Sequence, residues 1–219
     1  MSLDIEYATT CNTKEEFLKK RDEIQQWMDT MVSSQWNPMS YSNKDFKVFD
    51  KPQENGKHFL MSTTTVKANM KKFYEYIQTA TFKQQQDYDC DLTEYEKDQS
   101  FPEDHIDIIR CVYKGPWPVT PRDFIILQTW FEKDGSYYFV HESINYHQKW
   151  NTPNKNYVRG FKQIGLMFKP NEDGTFTMTR VTVTDPRGSV PTAIVGACKK
   201  DDVGRLVKMK KFIETKFAN

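Results

Sequence analysis

The residues of this chain best able to do chemistry are its histidines, its cysteines and a run of aspartates, and their spacing decides against most of it. Asp87, Asp89, Asp91 and Asp98 fall at positions 1, 3, 5 and 12 of an EF-hand calcium loop. Leu92 stands where that loop needs glycine, and position 12 is Asp instead of a bidentate Glu, so the pattern does not make a calcium site. His58, His105, His141 and His147 show no metal-ligand spacing and read as isolated groups. Cys11, Cys90, Cys111 and Cys198 are scattered, with no CxxC pair, as expected of reduced thiols in a cytosolic protein. The chain has no G-x-S-x-G elbow, P-loop, H-E-x-x-H or G-x-G-x-x-G motif. No catalytic residue, metal or cofactor is assigned.

What remains is chemistry that could hold a ligand. In Tyr137–Ile144, Glu142 is expected to face water, which turns Tyr137, Phe139, His141 and Ser143 inward. On Phe124–Trp130, Gln128 shares a face with Phe124, Ile126 and Trp130. In Phe176–Thr184, Val181 and Val183 share one pleat face, taken as the inner wall, while Arg180, Thr182 and Thr184 share the other. Both faces of Ile106–Tyr113 are apolar, so periodicity does not orient it. A histidine and a serine on an aromatic inner face are either buried polar groups with local partners or contacts for a ligand's head group.

The elements that must position these residues follow from patterning. Thr13 and Glu16 form a capping box, and Phe17, Ile24, Trp27, Met28 and Met31 carry a first helix to about Ser34. Strands are expected at Asp45–Asp50 and Lys57–Lys67, with Asn55-Gly56 a hairpin signal between them. A second helix starts near Ala68, and Gln84–Asp91 is indeterminate. From Leu92 onward strand follows strand, with Asp134-Gly135 and Asn171–Gly174 as tight turns, which makes an antiparallel meander. Asp185-Pro186 and Gly188 close the last strand, and Ser189 caps a helix expected from Val190 to Phe217, about 42 Å long at ~1.5 Å per residue.

On that helix Val195, Cys198, Leu206, Met209, Ile213 and Phe217 form one stripe, interrupted by Asp202 and flanked by Gly196 and Gly204. Either Asp201 and Asp202 cap a second segment after a kink, or a carboxylate faces the interior. The kink is expected, because a buried unpaired charge is expensive. The late lysines (Lys208, Lys210, Lys211, Lys216) either solvate the outer face or touch a membrane.

The totals bound the reading. At 219 residues one domain over 1–219 is expected. The net charge of +1 supplies no field for nucleic acid. With a mean hydropathy of -0.77, the 15 Phe, 11 Tyr and 5 Trp must concentrate on a few faces, in a core or around a pocket. No signal peptide or apolar run of spanning length is visible, so a cytoplasmic location is expected.

Four stretches then resemble one family. Trp117-Pro118-Val119-Thr120-Pro121-Arg122-Asp123-Phe124 is similar to the W-P-x-x-x-R-D-F signature of START (steroidogenic acute regulatory-related lipid transfer) domains. Tyr157-Val158-Arg159-Gly160 resembles their V-R-G/A strand start, and Asp185–Pro191 their D-x-K-G-x-x-P passage to the last helix. Tyr88-Asp89-Cys90-Asp91-Leu92 resembles W-D-P-x-L with two departures. The resemblance implies an α+β helix-grip fold, a curved antiparallel sheet wrapped around a long C-terminal helix with a tunnel for one lipid. It turns Ile109, Cys111 and Tyr113 inward. With Ile126, Gln128, Trp130, Phe139, His141, Arg159, Val181, Val183, Val195, Cys198 and Leu206 they are the expected ligand-binding residues. Gln128 looks like the position where some relatives carry a cavity arginine; a neutral amide there argues against a phosphate salt bridge at that point.

The expected function is that of a non-enzymatic lipid-binding and transfer protein, a monomer that touches membranes transiently and holds a lipid or sterol. Its alternatives are a helix-grip enzyme of the polyketide-cyclase or aromatase type, using His141 and Tyr113 as acid and base, and a ligand-sensing regulatory module. The Asn145–Asn156 loop and the Gly196–Gly204 segment are the elements expected to open. Trp150 is either a membrane-interface residue or packed under its own loop.

Overall fold

The computed structural model describes residues 8–40, 45–52, 58–115, 118–146, 148–150, 155–188, 190 and 192–218, with 58 and 192–202 by backbone alone. Asn55-Gly56, Trp117, His147, Ser189 and Pro191 lie outside the described residues, as do the side chains of His58, Val195, Cys198, Asp201 and Asp202.

Helix α1 (Lys14–Ser33) opens on the expected box: Thr13 Oγ1 accepts from the Glu16 amide, and Glu16 Oε2 from the Thr13 amide. Strands β1 (Asn37–Pro38), β2 (Lys47–Pro52) and β3 (His58–Val66) precede α2 (Met70–Thr79) and the short α3 (Phe82–Gln86), which Thr81 caps. Then come β4 (Leu92–Phe101), β5 (Ile106–Tyr113), β6 (Arg122–Lys133) and β7 (Ser136–Ser143). β8 (Val158–Arg159), β9 (Phe161–Pro170), β10 (Phe176–Asp185) and α4 (Thr192–Lys216) complete the chain. The Gln84–Asp91 stretch thus contains the end of a helix that periodicity leaves open. α4 runs without a break through Asp201-Asp202, where a second cap was expected.

The strands form one curved sheet in the order β1-β2-β3-β10-β9-β7-β6-β5-β4, antiparallel throughout except that β8 pairs in parallel with β6. The order departs from a pure meander at one point: β3 lies beside β10, so the first hairpin joins the sheet next to its last strand. Asp134 and Gly135 both take positive φ (49° and 72°) in the β6–β7 turn, as its right-handed twist demands.

Both faces of the sheet are covered. On one, Phe17, Ile24 and Met28 of α1 pack on Ile106, Ile108, Ile125, Leu127 and Val140. Gly165 of β9 permits that approach: a Cβ there would lie 2.3 Å from Met28 Sδ. The opposite face carries α2 and the second half of α4, with Phe73, Ile77, Leu206, Ile213 and Phe217 around Phe168 and Phe176. This is the α+β helix-grip arrangement, and the space between sheet and α4 is where a ligand can sit.

Candidate functional site: an interior cavity

Between the inner face of the sheet and α4 lies a cavity of about 840 Å³. Its apolar wall is Ile109, Ile126, Phe139, Ile164, Leu166 and Leu206, with Phe124 and Met209 beside them. The inward rows follow from pleat parity. On β6, Ile125 and Leu127 lie under α1, so Phe124, Ile126 and Gln128 face in; on β7, Tyr138 and Val140 lie under α1, so Phe139 and His141 face in. Ile109, Cys111, Tyr113, Ile126, Gln128, Phe139, His141 and Leu206 therefore line one space.

Other expected residues are placed elsewhere. Val181 packs in the α1 core, on the outer face. Val183 belongs to that core too and, unlike Val181, also lines the cavity. The inward row of β10 is the polar one, Arg180, Thr182 and Thr184. Trp130 continues the β6 inner row past the cavity's end, into the second core, where it stacks on His105 at 5.6 Å. Arg159 is bound to Asp123 and does not line the cavity. Val195 and Cys198 sit on α4 with side chains outside the description. Glu142 shares the outer face as expected but meets no water: it is 8% exposed and pairs with Lys20 of α1 at 2.5 Å.

Lys162 and Arg205, which the sequence reading left aside, and Arg180 and Thr182, which it turned away from the inner wall, also reach the cavity. A signal for two of them was present. Lys162 heads the row Lys162, Ile164, Leu166, Phe168, and Arg180 follows Phe176 and Met178, each a cation in an otherwise apolar alternation. Lys162 Nζ lies 3.0 Å from the Tyr113 hydroxyl and 4.2 Å from that ring's centroid. Burial pushes the Lys162 ammonium below its usual value. Burial, reinforced by Lys162 and Arg180, holds His141 well below the ordinary histidine range, so its imidazole is neutral. Burial pushes the Tyr113 hydroxyl up, and it stays protonated at neutral pH.

At one end the cavity is walled by Tyr88, Asp89 and Asp91, and elsewhere by Gly115, Val119 and Pro186–Gly188. Arg205 of α4 reaches the first of these loops, 3.0 Å from Asp91 and 3.7 Å from Asp89. Those aspartates serve that contact, and no group of three or more metal-ligating residues occurs among the described residues. No described part of the Asn145–Asn156 connection lines the cavity. Tyr146 donates to Asp98 at 2.6 Å, and the half-buried Trp150 packs 5.8 Å from the Tyr146 ring and donates to Glu96 at 3.3 Å.

Arg122 and Asp123 hold the cavity's margin together, though not as a pair with one another. Arg122 donates to the carbonyls of Thr120, Pro186 and Arg187, which seats the turn after β10, where Arg187 and Gly188 take positive φ. Asp123, 1% exposed, accepts both arms of Arg159 at 2.9 Å and Arg110 at 3.3 Å. Three separate sequence stretches thus meet around one dipeptide.

Comparison with known proteins agrees with this geometry. A family model described as the START domain matches residues 9–211. No curated protein matches in sequence. Among solved structures, human StAR-related lipid transfer protein 5 superposes with a TM-score of 0.79 at 16% identity, covering 93% of this chain and 99% of the other. Human STARD10 gives 0.74 at 18%, over 93% of this chain and 80% of its own. A STAR-related lipid transfer protein from Xanthomonas axonopodis gives 0.68 at 17%, over 83% and 99%. At such identities the likeness is one of fold; the family match, spanning nearly the whole sequence, carries the assignment: the chain belongs to the START domain family.

Proposed function

We propose that this protein binds one lipid or sterol in the cavity and carries it between membranes, without reacting with it. The observation that carries the reading is the interior space of about 840 Å³, walled mainly by Ile109, Ile126, Phe139, Leu166 and Leu206 and covered by α4. Water in contact with a 16-carbon chain costs roughly 12 kcal/mol at ~0.8 kcal/mol per CH₂. A cavity as apolar as a bilayer removes that cost during transit and leaves loading and unloading near balance. The lining residues Ile109, Cys111, Tyr113, Ile126, Phe139 and Leu206 are then the ligand's apolar contacts, with Gln128 and His141 selecting its polar end. The protein works as a monomer that meets the membrane transiently, and no described helix is long and apolar enough to cross one. The structural neighbours named as lipid transfer proteins support the reading.

Native mass spectrometry of protein purified from its own cells, with transfer between donor and acceptor vesicles, tests it. A co-purifying lipid and vesicle-to-vesicle transfer are expected. Turnover of a small aromatic substrate, with no lipid bound, would instead make His141 and Tyr113 an acid–base pair and the protein an enzyme.

A further inference from the structure

The polar groups of the cavity are unevenly partnered. Lys162 is 5% exposed, and its ammonium has three protons to donate. It meets the Tyr113 hydroxyl at 3.0 Å and the faces of Tyr113 and Phe124, and no carboxylate stands at ion-pair distance among the described residues. The acids that line the cavity lie mostly with other cations. Asp91 pairs with Arg205 and lies 3.5 Å from Lys114, and Asp185 Oδ1 accepts the Arg187 amide. Asp89 lies 3.7 Å from Arg205, and its charge also favours the Lys162 ammonium from beyond ion-pair distance.

Sheet register gathers further donors around the same spot. His141 stands opposite Ile164, and Ile164 opposite Thr182, so imidazole and hydroxyl flank one residue two places along from Lys162. Gln128 stands opposite His141 on the next strand. Among the described residues, His141 Nε2 and Thr182 Oγ1 are buried without a hydrogen-bond partner, although buried polar atoms are normally satisfied. Arg180 lies on the same face.

We propose that this patch receives an anionic head group, a carboxylate or a phosphate, with Lys162 as its counter-ion and Thr182, His141 and Gln128 as hydrogen-bond donors. The proposal rests on the lipid-carrier reading above and narrows its cargo. A neutral amide at Gln128 argued against a phosphate at that point on β6; here the positive charge comes from β9 instead. Burial is the chief cause of the Lys162 depression, which Asp89 partly opposes, whereas Lys162 and Arg180 both add to the burial that lowers His141, so positive charge prevails at the imidazole. The volume agrees: about 840 Å³ holds about 28 groups at ~30 Å³ each, as for a single-chain amphiphile or a sterol-sized body.

The test holds the chain constant and varies the head. Purified protein is incubated with neutral vesicles carrying equal amounts of oleate, lysophosphatidate, oleyl alcohol and monooleoylglycerol, re-isolated, and its cargo counted by native mass spectrometry. Capture of one or both acids over the neutral pair is expected, and which acid dominates distinguishes a carboxylate site from a phosphate site. Lys162→Met should cut acid capture at least about tenfold while leaving capture of the neutral pair intact, with Lys162→Arg retaining the preference. The empty Lys162→Met protein should melt no lower than wild type, since an unpaired buried charge is removed. Should that variant fail to fold, Thr182→Val is expected to lower acid capture several-fold. Equal capture of acids and neutral lipids by wild type, or an acid preference that survives Lys162→Met, overturns the proposal and leaves the carrier reading standing. Capture of none of the four overturns the proposal, and the carrier reading falls with it only where no lipid or sterol co-purifies with the protein from its own cells.

Discussion

Arg205→Met is expected to speed the exchange of cargo. Arg205 precedes Leu206, a cavity residue, and ties the middle of α4 to the loop before β4 through Asp91 at 3.0 Å and Asp89 at 3.7 Å. Beyond that point α4 is fixed: Leu206, Ile213 and Phe217 are buried in the second core, and the Asn69 amide donates to the Phe217 carbonyl at 2.7 Å. The side chains of Arg205, Asp91 and Asp89 are 37%, 32% and 22% exposed, so solvent screens both pairs. Each then contributes about 0.2–1 kcal/mol, and the two together about 0.4–2 kcal/mol. Where α4 must part from this loop to pass cargo, losing the pairs lowers the opening barrier by that amount. At about 1.4 kcal/mol per tenfold, exchange should accelerate by about 2- to 30-fold. The assay is stopped-flow loading and release of a fluorescent lipid against vesicles. A latch affects both directions, so loading and release should accelerate together with the equilibrium unchanged. Faster release with unchanged loading would make Arg205 a ligand contact and refute the latch, as would no change in either rate.

Three further outcomes follow from the same structure. Gly204→Ala meets no atom within 4 Å of the added methyl and favours the helix by about 1 kcal/mol, so it should slow exchange and raise the melting temperature by about 2–4 °C; an unchanged exchange rate would show that α4 does not flex there. Lys20→Met strands the buried Glu142 carboxylate and should cost about 3–5 kcal/mol in urea unfolding, most of it recovered by Lys20→Met with Glu142→Leu; equal losses in the single and double variants would mean that Lys20 acts by packing alone. His141 is held below its ordinary value near 6.5, so the unfolded chain binds more protons in acid and stability falls with pH below that point, by up to about 1.4 kcal/mol per pH unit. His141→Phe should remove that increment, which urea titrations of both proteins at pH 7 and pH 5 would read as a smaller acid loss in the variant.

Much of the fold was legible because its signals are local. The Thr13–Glu16 box, the Asp134-Gly135 turn and the alternation of β6 and β7 each act within a few residues, and each appears where the residues place it. What was not legible depends on contacts distant in sequence. β3 reaches β10 across more than a hundred residues, and nothing in either strand announces its neighbour. The ion pairs of Asp123 with Arg159 and Arg110 could not be told from a pair within Arg122-Asp123, since adjacent opposite charges look like partners until the backbone turns them apart. The Asn145–Asn156 loop read as a gate because it is long and polar, yet its described part is tied to β4 through Tyr146 and Asp98.

The inversion on β10 has a more general cause. Apolar residues mark the inner face of a sheet only when the other face meets water. Here α1 covers the outer face, so Val181 and Glu142 are both buried there, and hydropathy no longer separates inside from outside. Polarity becomes the better guide, for an energetic reason. Under α1 a polar group must find its partner within the protein, as Glu142 does in Lys20 and Gln163. Facing a cavity, its partner can arrive with the ligand, so a donor such as the Thr182 hydroxyl can stand open on an otherwise apolar row. The separation is not complete, since Thr129 Oγ1 on the α1 side of β6 also lacks a partner among the described residues. On β10 the row that walls the cavity is Arg180, Thr182 and Thr184, beside Lys162 on the neighbouring strand, while Val181 and Val183 pack in the core under α1.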